Sequence, residues 1–417
     1  MTGFRECIND GVNEGLIREE DAAEINTMFD QLEGEYRGNM ANAPAAARAA
    51  ADTLDAIRRQ KFETRRKKLL QARTWREIEG ILDTHRTQFG NLDPNDAAVN
   101  LLGHVRDQKF SSVEQRADAV RSLAHGRMSE ILASFKRNIF GETQNKATQK
   151  NLVRELFGEN TGDTAAREFA RAWSEVTDML RKRFNAAGGA IQKLANWGMP
   201  QVHDAIRIRK VPKSEWVDYT YSRLDTENMI DEQTGLAFNE VRLKAVLNEV
   251  YTTITQEGFN KVKKGAVLQG RSMANRRQDH RFLKFRNADA WMEYQEQFGN
   301  VNAFDTMMSH ISSMSRDIGM MEVLGPNPVT TMNAIKTSLD ARAAEAGKGA
   351  DKARAAGDKM DKLYRAHMGT LNAPINGIAA NTMSGLRNIL TAAQLGATFF
   401  TAVTDLNSQS LARKVNG

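Results

Sequence analysis

Three observations predict an all-α protein, an elongated multi-helix bundle with long helices that oligomerises. The chain of 417 residues holds only 7 Pro against 18 Met. Long stretches are rich in Ala, Glu, Lys, Arg and Gln, which are strong helix formers. Apolar positions recur at steps of three and four over several long windows, which is the helical period. A mean hydropathy of −0.53 keeps most of these helices exposed along one side. A chain of this length can bury a sizeable core and form two or three domains. Cys7 is the single cysteine, which excludes an intramolecular disulfide framework and suits a reducing compartment. The opening residues, MTGFRECINDGVNEG, contain no apolar run of the secretory type.

Taken in order, the first element is an acidic helix over about Glu19–Tyr36. Gly38 and Asn42-Ala43-Pro44 then read as a break, an N-cap and an early-turn proline. From Ala45 to about Thr87 there is no Pro and Gly80 is the only Gly, so one helix of roughly 60 Å is expected. Its middle is thin in apolar residues, with Phe62 alone between Ile57 and Leu69. A helix polar all round must bridge solvent or lie on something charged. Ser111 and Glu114 match a capping box. Beyond them Val113, Ala117, Val120, Ala124, Met128, Ile131, Phe135 and Ile139 form a nearly straight stripe suited to bundle packing. Phe169, Trp173, Val176, Leu180 and Phe184 form a second stripe. Phe304, Met307, Ile311, Met314, Ile318 and Met321 form a third with heptad spacing, expected to be an oligomer seam.

Breaks fall at Gly188-Gly189, at Trp197-Gly198-Met199-Pro200-Gln201 with the alternating Ile206-Arg207-Ile208-Arg209, and at Gly325-Pro326-Asn327-Pro328. Residues 343–357 read as a weak helix or a hinge. The expected divisions are therefore residues 1–90 (acidic head plus long basic helix), 91–190 (helical bundle), 191–345 (helical core) and 346–417 (hinge and uncharged tail).

Charge is distributed unevenly. Residues 1–57 hold twelve acidic and four basic side chains, whereas 58–76 and 261–286 each hold nine basic and one acidic. Zones of this kind suit polyanions, and the alternative is a solvated face or a neighbour's acidic patch. The candidate DNA-binding residues are Arg58, Arg59, Lys61, Arg65, Arg66, Lys67 and Lys68 in the first zone. In the second they are Lys263, Lys264, Arg276, Arg277, Arg281, Lys284 and Arg286, interleaved with Phe282 and Phe285. Such a mixture can pair phosphates while aromatics stack, although Phe282 and Phe285, three apart, also fit a helix core face.

The tail is the opposite case. Between Arg365 and Asp405 the one formal charge is Arg387. Residues 388–404 are uncharged but slightly shorter than the roughly 20 apolar residues a membrane helix needs. Ala392 and Gly396 are spaced for close helix approach, and Phe399-Phe400 is a bulky apolar pair. The segment reads either as a buried helix of the fold or as one that enters a bilayer or an oligomeric channel.

Catalytic motifs are absent from the sequence: no phosphate-binding Gly-rich loop ending in Lys-Ser/Thr, no His-Glu-x-x-His and no Gly-x-Ser-x-Gly. Seven histidines lack metal-ligand spacing. His203-Asp204 is the one polar pair resembling a site, and a structural loop contact is the favoured reading. The expectation is a non-enzyme with no cofactor and no metal.

Trp197–Asp204 (WGMPQVHD), Phe282–Pro328 and Ala392–Leu406 (AAQLGATFFTAVTDL) resemble segments of large internal virion proteins of tailed, particularly short-tailed, bacteriophages. The resemblance covers roughly residues 190–410 and fixes no active residue. It implies a structural protein stored in the virion, inside the capsid or at the portal and tail. Such a protein is ejected with the genome and assembles into a conduit for DNA across the host envelope. The partners implied are further copies of the chain, other ejection proteins or portal and tail components, double-stranded DNA without sequence preference and, less directly, the host inner membrane. Two alternatives stay open: a head or tail scaffold or nucleic-acid-binding adaptor that never meets a membrane, and a peptidoglycan-degrading enzyme.

Overall fold

The structure, a computed structural model, describes residues 3–38, 40–105, 108–128, 146–191, 193, 199–229, 238–255, 283–299 and 303–369. Among these residues every regular element is a helix, apart from two isolated antiparallel bridges, Arg86 with Leu92 and Leu224 with Phe285. The all-α expectation holds. Residues Met1–Leu363 form one compact unit and Tyr364–Gly417 a second. The divisions expected near 90, 190–212 and 345 fall at turns within the first unit.

The chain opens with α1 (Gly3–Asn13), which the sequence reading did not anticipate, and α2 (Glu19–Arg37), which it did. Both pack ahead of α3 (Asn42–Thr84), a single 43-residue helix. Phe29, Leu32 and Tyr36 of α2 close over Ala45 and Ala49 of α3, and Phe4 of α1 stacks on Phe29 at 4.7 Å. Small residues at Ala45 and Ala49 let the two backbones approach while the aromatic rings supply the buried area. The N-cap of α3 is Ala41 without a side-chain bond, so Asn42 is the first helical residue rather than the cap.

After the turn at 85–93 come α4 (Pro94–Asn100) and α5 (Val113–Arg127). Ser112 caps α5 and Gln115 returns the capping-box bond, one residue beyond the expected Ser111 and Glu114. The described part of the first stripe, Val113, Ala117, Val120, Ala124 and Met128, is buried; Ile131, Phe135 and Ile139 lie outside the described residues. Next are α6 (Lys146–Leu156) and α7 (Thr164–Ala186), the latter capped by Asp163. All five residues of the second stripe, on α7, are buried. Gly188 turns the chain out of α7 with φ +116°, where a Cβ would strike Pro326.

A smaller group follows: α8 (Ala205–Arg209), α9 (Lys213–Tyr221), α10 (Glu240–Thr255) and α11 (Ala288–Phe298). Trp216, Tyr294, Phe298 and Phe285 meet there as a buried aromatic cluster. The segment that looked alternating at Ile206–Arg209 is one turn of helix that buries Ile208 and exposes Ile206.

The chain returns through α12 (Ala303–Leu324), α13 (Pro328–Glu345) and α14 (Ala350–His367). Asn327 caps α13 and Pro328 opens it, as the Gly-Pro-Asn-Pro string requires. The stretch read as a weak helix or hinge is two helix ends joined at Gly347 and Gly349, both with positive φ. Helix α12 packs most extensively on α5 and next on α7. Its Met307, Ile311, Met314, Ile318 and Met321 are at most 2 % exposed within one chain. The seam therefore needs no second copy to bury it, which corrects its expected role as an oligomer face. The side chain of Phe304 is outside the description.

Candidate nucleic-acid interface

Helix α3 positions the first cationic zone. Its N-terminal part is covered by α2 at Ala45 and Ala49; farther along it packs on α4 and α12, Ile78 and Leu82 are buried, and Asp83 pairs with Arg342 of α13 at 2.7 Å. Between them the inward face is held by polar contacts. The Arg66 guanidinium donates to the carbonyls of Asn185 and Gly189, at the C-terminal end of α7. A cation suits that place, where the carbonyls of the last turn and the helix dipole are both negative. Gln71 donates to Thr331 and to the Leu324 carbonyl, and accepts from the Asn327 amide at 3.0 Å. It thereby stitches α3 to the turn between α12 and α13.

Successive helix residues are about 100° apart, so a run such as Arg65-Arg66-Lys67-Lys68 cannot share one face. Arg66 and Lys67 point inward and are half-buried. Burial lowers the Lys67 ammonium below its ordinary value. Arg66 is engaged by α7 carbonyls and Lys67 lies on the inward side, so neither shares the outward face with the other candidates of the run.

The outward face is different. Arg58, Lys61, Arg65 and Lys68 are exposed and fall three or four residues apart along one side, and exposed Arg76 follows eight residues later on the same side. Lys61, Arg65, Lys68 and Arg76 make no ion pair among the described residues; Arg58 pairs with Asp55 at 3.2 Å. Arg59 is exposed and donates to the Asp55 carbonyl. Arg76 joins the ridge although the candidate set omitted it; its place in the helical period was the available signal. Phe62 and Leu69, 66 % and 63 % exposed, sit among these cations. The ridge spans about 27 Å, with the first four cations roughly 5 Å apart along the axis and Arg76 about 12 Å beyond Lys68.

The second zone is not assembled with it. Lys263, Lys264, Arg276, Arg277 and Arg281 lie outside the described residues, as does Phe282. Lys284 is paired with Asp225 at 3.0 Å, and Arg286 is exposed beside the Leu224–Phe285 bridge. Phe285 is buried 5.1 Å from the Tyr294 ring, a core residue and not a stacking platform. Ala392, Gly396, Phe399 and Phe400 also lie outside the described residues.

His203 and Asp204 each have a partner elsewhere. The His203 Nδ1 atom is 2.9 Å from the Tyr294 hydroxyl, whose phenol burial drives well above its usual range. Asp204 accepts from the amides of Ile206 and Arg207 as the N-cap of α8. Loop anchoring accounts for the pair. Among the described residues no helix is long and apolar enough to cross a membrane. No family model, curated protein or solved structure matches the chain.

Proposed function

We propose that this chain is a structural, non-enzymatic protein that holds duplex DNA without sequence preference through the outer face of α3. The observation that carries the reading is the ridge itself: four exposed cations without ion pairs among the described residues, on one side of a long helix. Phosphates are the polyanion such a row meets most economically, because each neutralised phosphate releases condensed counterions. A row of long, flexible cationic side chains on an exposed helix favours backbone contact over base reading. Resemblance to internal virion proteins supplies the setting: a protein of the phage virion, stored beside the packaged genome, expelled with it and assembled as an oligomeric, elongated bundle into a conduit.

The test is the salt dependence of binding to a short duplex. Changing Lys61, Arg65 and Lys68 together to Gln should reduce the slope of log affinity against log salt by about two to three. Random and fixed sequences should bind alike. A slope untouched by the triple change would remove the ridge from the DNA interface.

A further inference from the structure

We infer that the acidic head of one copy docks on the α3 ridge of another, so that the chain associates head to ridge. Every Arg of residues 3–38 is paired within the head: Arg5 with Asp30, Arg18 with Asp21 and Arg37 with Glu33. That leaves Glu6, Asp10, Glu14, Glu19, Glu20 and Glu24 exposed, without an ion pair among the described residues. Amid them, at the turn between α1 and α2, Leu16 is 76 % exposed. The ridge is the counterpart: Phe62 and Leu69 exposed in the centre, Lys61, Arg65, Lys68 and Arg76 around them. An apolar centre with a charged rim is the anatomy of a protein interface, and here the two rims are opposite in sign.

The two surfaces of one chain cannot meet. The head covers the α3 face that carries Ala49. Arg65 is sixteen residues on, which rotates it about 160° around the helix at 3.6 residues per turn. The complementary patch must come from a second copy. The contact joins two different surfaces, so it either pairs reciprocally about a two-fold axis, head to ridge and ridge to head, or propagates into a ring or an open filament. It uses the same ridge as the proposed DNA contact but does not depend on it: the head then occupies the place of phosphates, and duplex DNA competes with association.

Charge reversal tests this in sedimentation velocity at low salt. Wild type should associate, and should dissociate as salt rises past the range where surface charges are screened. Lys61→Glu with Lys68→Glu, and separately Glu20→Lys with Glu24→Lys, should each weaken self-association at least about tenfold. An equimolar mixture of the two variants should associate again, because each then offers the charge the other lacks. Circular dichroism checks that helicity is retained. Wild type that remains monomeric at low salt, or variants that associate as wild type does, would overturn the inference. Binding of monomeric wild type to phosphatidylglycerol vesicles through the ridge would also overturn it, by assigning that face to lipid. Duplex binding is measured in parallel. The head variant should bind DNA at least as well as wild type, and a chain that binds DNA while monomeric defeats head-to-ridge docking but leaves the DNA reading standing.

Discussion

Gly319 stands where α12 comes closest to α5. A Cβ there would lie 2.7 Å from the Ala117 amide nitrogen and 2.8 Å from the Val113 carbonyl oxygen. Both are backbone atoms that cannot swing aside, so the helices must part. Gly319→Ala is expected to destabilise the fold by about 1–3 kcal/mol, even though alanine is the better helix former. Gly80, inside α3, has nothing within 4 Å of the same hypothetical atom. There Gly80→Ala should stabilise by about 0.5–1 kcal/mol. Urea titration of the pair reads the contrast, and equal shifts of one sign would mean that the α5–α12 approach is looser than described. Asp178 gives a pH signature. Hydrogen bonds from Lys182 and Arg181 hold its carboxyl down to about 2, with Arg181 Nη2 at 2.8 Å. A folded pKa below the unfolded one adds stability that is present above the ordinary carboxylate range and lost as pH falls through about 2. With solvent screening, Asp178→Asn should cost about 1 kcal/mol near neutral pH. The gap to wild type should close between about pH 4 and about pH 2; a gap constant across that window would place the contribution elsewhere.

At the scale of elements, periodicity carried most of what was legible. The absence of Pro over 45–87 located α3 almost to its ends, and the stripes on α5 and α7 are buried where the spacing put them. The head helix α1 escaped because Phe4, Ile8 and Val12 are its only strong apolar residues beside Gly11. The heptad on α12 was read correctly as a seam but given the wrong partner, since spacing reports that a face is buried and not by which helix. The same limit applied to the basic run: its rotation was calculable, but which side faced α7 depended on residues 119 and 123 positions away in the chain. These corrections alter the expected mutational outcomes. Arg66→Ala should destabilise by about 1–2 kcal/mol, because it removes the guanidinium bonds that tie α3 to the end of α7, and should leave the salt slope of DNA binding unchanged. Arg65→Ala should do the reverse. A lower slope for Arg66→Ala with unaltered stability would return that residue to the ridge. Changing Ile311 or Ile318 to Asp should unfold the chain, not merely separate subunits, since an unpartnered charge enters a fully buried position. A folded, helical monomer from either change would revive the seam as an interface between copies.

For the whole molecule, the described helices account for a charged unit with a cationic ridge, and the conduit part of the proposal rests on residues 388–404. Their composition is the reason: no formal charge, small residues at Ala392 and Gly396, and Phe399-Phe400. In water such a segment must be covered by other helices. In a bilayer Gln394 and the threonines need partners, because an unsatisfied polar group in hydrocarbon is costly. Insertion as an oligomer meets both demands, with polar side chains toward a wet lumen and Leu390, Phe399 and Val403 toward lipid. Full-length protein should therefore release a small dye from liposomes, whereas a form ending at Arg365, inside α14, should not. Running neutral beside anionic vesicles shows whether release needs surface charge, since insertion of the uncharged tail acts on both. Ala397→Glu should lower release from both, since a carboxylate on the small-residue face opposes close helix approach. Equal leakage from the intact and shortened forms would make the tail a helix of the folded body, and would leave DNA binding by α3 as the function that remains.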